Sequence, residues 1–244
     1  MTPQTLIQNL CPTGSLRAAL NMGNPVLAAS RTQTEQPAGV TIDLARSLAA
    51  ELGVQVELMC FESAGKAGAA LTVGQADVGF MAIDPQRAQT LAFTAPYVRI
   101  EGVYAVREAS GLRTPDEVDR PGTTVLVGTG SAYALFLQRE LRHARLVEVP
   151  TSEGVAQAYL DDPAIDVAAG VRQQLEADAR RLPGLRLLPG RFMAIDQAMA
   201  IPRERGEEAL AFVQRFLRAQ QSGGTLRQAF ERHGIEGATL LEAD

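Results

Sequence analysis

The segment ADVGFMAI, residues 76 to 83, constrains the fold more than any other stretch of the chain. After Asp77 it is apolar without interruption, and it stops at Asp84-Pro85-Gln86-Arg87. A strand with one wet face alternates polar and apolar side chains; a strand apolar throughout must be covered on both faces. A parallel sheet with helices on each side supplies that cover, so the segment predicts an α/β fold.

The surrounding chain has the required alternation. LRAAL (16 to 20) reads as a strand closed by the turn residues Asn21-Met22-Gly23-Asn24-Pro25. After the polar segment Arg31 to Gln36, GVTIDLARSLAAELG places Ile42, Leu44, Leu48, Ala49 and Leu52 at helical spacing, with Thr41 and Asp43 as candidate N-caps and Gly53 as the stop. VQVELMCF (54 to 61) is a strand and KAGAALTVGQA (66 to 76) a short helix ending near Gly74. LAFTAPYV (91 to 98) and IEGVYAVRE (100 to 108) form a long extended stretch. A second series then begins: strand TVLVG (124 to 128), loop Thr129-Gly130-Ser131, helix YALFLQREL, strand RLVEV, helix SEGVAQAYL and strand IDVAAGV (165 to 171). Extended MAIDQAMAIP (193 to 202) leads to two amphipathic helices, EEALAFVQRFLRAQQ and TLRQAFERHG, the last stopped by Gly234. Two series joined by extended crossings near 98 to 106 and 190 to 200 predict two lobes, residues 1–100 plus 194–244 and residues 101–193, with a ligand cleft between them.

Composition narrows the function. With 244 residues, 46% hydrophobic and 21% charged, the chain fits neither a disordered nor a membrane-spanning protein. A net charge of −5, with Arg scattered among Asp and Glu, argues against a nucleic-acid surface, which needs a basic face. Two cysteines, Cys11 and Cys60, and two histidines, His143 and His233, exclude a structural zinc site. No metal or cofactor is expected. Two buried free thiols are expected rather than a disulfide. Cys11 lacks the small-residue context of lipid attachment, and residues 1 to 13 lack a basic start followed by an apolar run. The two readings are a signal removed from this numbering and a cytoplasmic protein.

Ligands of open parallel sheets bind outside the carboxyl ends of the strands. The loops of interest are therefore 21 to 25, 82 to 87, 129 to 133 and 170 to 172. Other groups have plain structural readings. Lys66, the only lysine, sits at a strand-to-helix loop as a ligand contact or an exposed first-turn residue. Asp43 and Asp84 read as caps, Asp166 as a strand-end carboxylate, and both histidines as surface residues. Gly128-Thr129-Gly130 lacks the third glycine of a dinucleotide loop, and Ser131 lacks the flanks of a nucleophile elbow. Asn21 and Asn24 either reach a ligand or satisfy their own loop.

LRAALNMGNPV, GVTIDLARSLAAELGVQVEL, QADVGFMAIDPQRAQTLAFTAPYV, VLVGTGSAYALFL, AIDVAAGVRQQL and the closing helix pair occur in one order over about 14 to 234. In this the chain resembles the type II periplasmic solute-binding proteins, specifically the polar amino-acid group of ABC transporters. The resemblance implies a two-lobed fold that closes over a small solute. The carboxylate-binding arginine falls on Arg87. The hydroxyl that precedes it falls on Ala82 and the small or polar position before that near Phe80. The Gly-Thr-Thr loop of the second lobe becomes Gly130-Ser131-Ala132. The aspartate that accepts the ligand ammonium falls on Val171. Covering aromatics fall on Asn24, Leu27 and Ala64, which leaves Tyr97, Tyr104, Phe80 and Tyr133 as candidate walls.

Burying an ammonium without an acceptor costs several kcal/mol, on the order of the whole affinity of a micromolar ligand. The expected ligand is therefore a carboxylate-bearing solute without a standard α-ammonium, held by Arg87, Ser131 and loop N–H groups. Arg172 is placed to meet a second acidic group, and Glu101 to receive an amine from another direction. The expected partners are this solute and an ABC permease, with no nucleic acid and a monomeric state. The resemblance implies a periplasmic location. The rival is a dehydratase-like enzyme on the same scaffold, with Glu101, Lys66 or Asp84 as acid or base. A third reading is a cytoplasmic small-molecule sensor.

Overall fold

A computed structural model describes residues 3–30 and 36–242. Residues 31–35 of the polar segment lie outside the described residues. The chain divides into two compact units, Met1–Arg99 with Asp196–Asp244, and Ile100–Ile195.

The first unit opens with helix α1 (Pro3–Leu10) and strand β1 (Ser15–Asn21), then a two-residue ladder of β2 (Ala29–Ser30) and β3 (Pro37–Ala38). Helix α2 (Val40–Leu52), strand β4 (Gln55–Phe61), helix α3 (Ala64–Thr72), strand β5 (Val78–Ala82), strand β6 (Leu91–Phe93) and the start of β7 (Val98–Arg107) follow. β1 pairs in parallel with β4 from Ser15↔Gln55 to Asn21↔Phe61, and on its other side with β5 at Ala18↔Val78 and Ala19↔Gly79. All five residues of β5 are buried, as its unbroken apolar sequence requires. Gly79 lets α3 lie close on the sheet: a Cβ there would stand 2.4 Å from Leu71 Cδ1. Ala19, Ala67, Ala70, Leu71, Met81 and Leu91 share that core.

Asp77, at the mouth of β5, is fully buried. Its carboxylate accepts from the Arg17 backbone N–H and Nε (both 3.0 Å), from Arg17 Nη2 (2.7 Å) and from Arg205 Nη2 (3.0 Å). Arg205 Nη1 also donates to the Asn9 carbonyl at 3.2 Å, so one carboxylate ties β1 and β5 to the end of α1. Cys11 lies beside this group, and burial, aided by Asp77, pushes its thiol up to about 12.

The second unit contains the rest of β7, then β8 (Thr124–Gly128), α4 (Ala132–Glu140), β9 (Arg145–Val149), α5 (Val155–Asp161), β10 (Val167–Val171), α6 (Arg172–Arg181), β11 (Leu185–Leu187) and the start of β12 (Met193–Pro202). β8 pairs in parallel with β9 and β10, while β7 runs antiparallel to β10 and β11. Val103, Leu126, Val155, Tyr159, Ala168 and Leu175 form its core. Back in the first unit, β12 runs antiparallel to β5 and β6. Helices α7 (Glu207–Ser222) and α8 (Thr225–Arg232) follow, then β13 (Thr239–Leu240) against the start of β7.

Several local expectations need correction. The N-cap of α2 is Gly39, not Thr41 or Asp43. Its φ of 138° and its approach to Leu27, where a Cβ would meet the carbonyl oxygen at 2.4 Å, leave glycine as the residue that fits. The buried Thr41 hydroxyl donates to that same Leu27 carbonyl at 3.2 Å. Asp43 instead holds the end of α8, through Arg232 (3.2 Å) and His233 Nε2 (2.8 Å). His233 is therefore a partly buried contact and not a plain surface residue, whereas His143 is exposed. Both cysteines are free, but only Cys11 is buried; Cys60 is exposed on β4.

Candidate functional site

Parallel pairing brings the carboxyl ends of β1, β4 and β5 to one edge of the first unit. Asn21, Asn24, Lys66, Ala82 and Arg87 sit at or just beyond those ends. After β5, Asp84 is 1% exposed and its Oδ1 accepts from the N–H groups of Gln86 (2.9 Å) and Arg87 (3.4 Å), which folds the loop into an Asx-type turn. Arg87 opens the short 3-10 turn that follows and donates from Nη1 to the Ala82 carbonyl at 3.1 Å. Ala82 thus supplies a backbone acceptor where the family pattern has a hydroxyl. Burial lowers the Arg87 pKa, with the Asp84 charge opposing the shift, so this guanidinium is charged yet poorly solvated.

The neighbouring groups are largely engaged in local structure. Asn21 Oδ1 accepts from Gly23 N–H at 3.1 Å, whereas the buried Asn24 Oδ1 has no hydrogen-bond partner among the described residues. Lys66 follows the cap residue Ser63, is well exposed and pairs with Glu62 one helical turn earlier. Phe80 is buried within β5. Tyr97 is fully buried, its hydroxyl has no hydrogen-bond partner among the described residues, and burial raises its pKa.

In the second unit, parallel β8 and β10 place Gly128 and Val171 at a common edge, and the antiparallel register Val171↔Gly102 brings Glu101 there too. The loop Thr129-Gly130-Ser131 turns through Gly130 at φ 65° into α4. Ser131 is the N-cap of that helix: its Oγ accepts from Ala134 N–H at 3.0 Å. The Thr129 hydroxyl donates to the Val149 carbonyl at 3.0 Å. Tyr133, next to Ala132 in the first turn of α4, donates from its hydroxyl to Ser152 Oγ at 2.7 Å. Burial raises the Tyr133 pKa against the opposing bonds to Ser152, Ser131 and Gly128. Tyr104 stacks on Phe192 with ring centroids 4.3 Å apart, and Phe192 in turn faces Phe136 of α4, so Tyr104 belongs to an aromatic group inside this unit.

Val171 ends β10 and flanks α6, whose first turn has no acidic residue and no side-chain cap. Arg172 donates from Nε to Glu101 Oε2 at 2.7 Å and from Nη2 to the Gly190 carbonyl at 2.6 Å. The other Glu101 oxygen, Oε1, accepts from Arg191 Nη1 at 2.8 Å. The hydrogen bonds from Arg191 and then Arg172 hold the Glu101 carboxyl below its ordinary range. Glu101 is therefore already neutralised by two guanidiniums, and an incoming ammonium would meet positive charge around it. Arg191, Phe192 and Ser152 escaped the sequence reading. Ser152 lies ahead of α5, which begins at Val155 and not at Ser152 as the sequence suggests, and Arg191 and Phe192 lie in an irregular segment held beside Glu101 by the bond from Phe192 N–H to the Gly102 carbonyl.

The architecture, two α/β units each with a mostly parallel sheet and joined by two extended crossings, is that of the two-lobed type II periplasmic binding proteins. The chain belongs to the bacterial extracellular solute-binding proteins, family 3, whose family model matches residues 16–236. It is 25% identical to the cyclohexadienyl dehydratase of Pseudomonas aeruginosa, over 96% of this chain and 87% of the relative. Among solved structures it resembles a cysteine-binding protein from Campylobacter jejuni, at a TM-score of 0.81 and 17% identity, covering 98% of this chain and 99% of that one. It also resembles AncCDT-1, an ancestral amino-acid-binding protein described as a precursor of cyclohexadienyl dehydratase, at a TM-score of 0.75 and 22% identity, covering 93% and 98%.

Proposed function

We propose that the protein is the solute-binding component of an ABC-type uptake system, acting outside the cytoplasmic membrane. It captures a small carboxylate-bearing solute that lacks a standard α-ammonium, and hinge closure of its lobes retains it. The observation that carries this reading is Arg87. A desolvated guanidinium seated by the Asp84 turn, beyond the carboxyl end of a buried strand, gains from pairing with an anion. The ammonium side of an amino-acid site has no matching group: Val171 replaces the expected aspartate, Glu62 is paired with Lys66, and Glu101 is bracketed by two arginines. Mass spectrometry of small molecules that copurify with the protein, followed by isothermal titration with carboxylic acids, keto acids and α-amino acids, tests the reading. Binding of acids in the wild type and its loss in Arg87→Met is the expected result. Tight binding of an ordinary α-amino acid that survives in Glu101→Gln overturns it.

The similarity to a dehydratase favours a second reading, an enzyme that eliminates water from a cyclohexadienyl acid. Such a step needs a proton donor at the leaving hydroxyl. Glu101 is held ionised by two guanidiniums, Lys66 is exposed and paired, and Asp84 is committed to its turn, which weighs toward binding. Formation of an aromatic product, followed by ultraviolet absorbance, would reverse this preference.

A further inference from the structure

We propose that the cavity between α2 and the α7–α8 pair is a second binding site, one that takes a phosphate group, free or carried on an ester. The proposal is independent of the reading of Arg87. The cavity, of about 260 Å³, lies wholly within the first unit and is lined by Arg46 and Ser47 from α2, Gln220 near the end of α7, and Thr225 and Arg232 from α8. Helical spacing builds its two walls. Asp43, Arg46 and Ser47 stand at i, i+3 and i+4 on α2, and Thr225, Ala229 and Arg232 at i, i+4 and i+7 on α8, so each set shares one face. Ala229 carries only a methyl group, which leaves the space between Thr225 and Arg232 open.

Among the described residues, the side chains of Arg46, Ser47, Gln220 and Thr225 make no hydrogen bond or ion pair. The carboxylate in the lining does not use them. Asp43 Oδ2 accepts from Arg232 Nη2 at 3.2 Å and lies 2.8 Å from His233 Nε2, so its charge is already answered on α8. The lining therefore sets two guanidiniums against one carboxylate, and the uncompensated one is Arg46. A guanidinium, two hydroxyls that can rotate to donate and a side-chain amide converge on one space, and a guest that brings negative charge and several acceptor oxygens matches them. A carboxylate has two oxygens in one plane, which a single arginine fork uses up. A phosphate group is close to dianionic and spreads its oxygens in three dimensions, so it can reach donors on three helices at once.

Two-dimensional amide spectra of the full chain, titrated with inorganic phosphate at fixed pH and ionic strength and with acetate as the control anion, test this. Phosphate is expected to shift the amide signals of Arg46, Ser47, Thr225 and Ala229 saturably, and acetate to leave them in place. Arg46→Gln, at an exposed position, is expected to weaken phosphate about tenfold or more without moving the melting temperature of the unliganded chain, and Arg46→Lys to recover part of the loss. Arg87→Met should leave the phosphate titration unchanged, which separates this site from the proposed solute site. Glycerol phosphate, run beside inorganic phosphate, tells the two sources apart: equal or tighter binding supports a site for an ester, and weaker binding a site for the free anion. Absence of a saturable shift at these four residues, equal shifts with acetate, an affinity untouched in Arg46→Gln, or a titration abolished by Arg87→Met overturns the proposal.

Discussion

Asp77 shows how much structure a single side chain can organise here. A fully buried carboxylate shared by Arg17 and Arg205, both nearly buried, is stable because every charge has a partner. Asp77→Asn leaves two guanidiniums facing a neutral amide. We expect a loss of about 3–5 kcal/mol in urea denaturation, read as a lower midpoint at unchanged slope. Glu101 makes a different prediction because its carboxyl is held down by Arg191 and Arg172. A depressed carboxyl adds stability above its unfolded-state pKa and loses it as pH falls through the folded value. Wild type should therefore lose more stability than Glu101→Gln between about pH 5 and pH 3, measured as melting temperature across that window. Equal losses would show that the two ion pairs contribute nothing to folding.

At the scale of the element, legibility followed the burial pattern. β5, β8 and β10 are apolar because they are buried, and α2 and α7 carry apolar residues at helical spacing, so all five are plain in the chain. Helix α6 is not, because only Leu175 and Asp178 of its ten residues are buried, which leaves no apolar stripe to read. β11, of three residues, is too short for periodicity to speak. Arg87 was legible because it follows a strand that any reader would draw; the Arg191 contact depends on pairing between distant segments. The α4 loop adds a test. A Cβ at Gly128 would stand 2.7 Å from the backbone nitrogen of Ser152 and 2.8 Å from its Cα and Oγ, so the loop after β9 must move to admit it. Gly128→Ala should cost about 1–3 kcal/mol by overpacking. Because Ser152 also receives the Tyr133 hydroxyl, it should weaken solute binding more than Tyr133→Phe, which removes one hydrogen bond without a clash.

Over the whole molecule, the chain passes twice between its units, and each unit ties both crossings on its own side. In the first, Arg99 and Asp196 form a two-pronged pair at 2.6 Å and 2.9 Å. In the second, Glu101 and Arg191 pair while Phe192 N–H donates to the Gly102 carbonyl at 3.0 Å. A solute that binds only the folded chain stabilises it by mass action. A ligand at about 100 times its Kd adds about 2.7 kcal/mol, which for a chain of this size raises the melting temperature by about 5–10 °C. Arg87→Lys keeps the positive charge and loses the bidentate fork, so the same acid should give less than about half that shift at equal concentration. If Arg87 serves binding, the unliganded variant should melt near the parent temperature while the shift shrinks. A large fall in the unliganded melting temperature would instead show that the guanidinium holds the fold together and is not there for a guest.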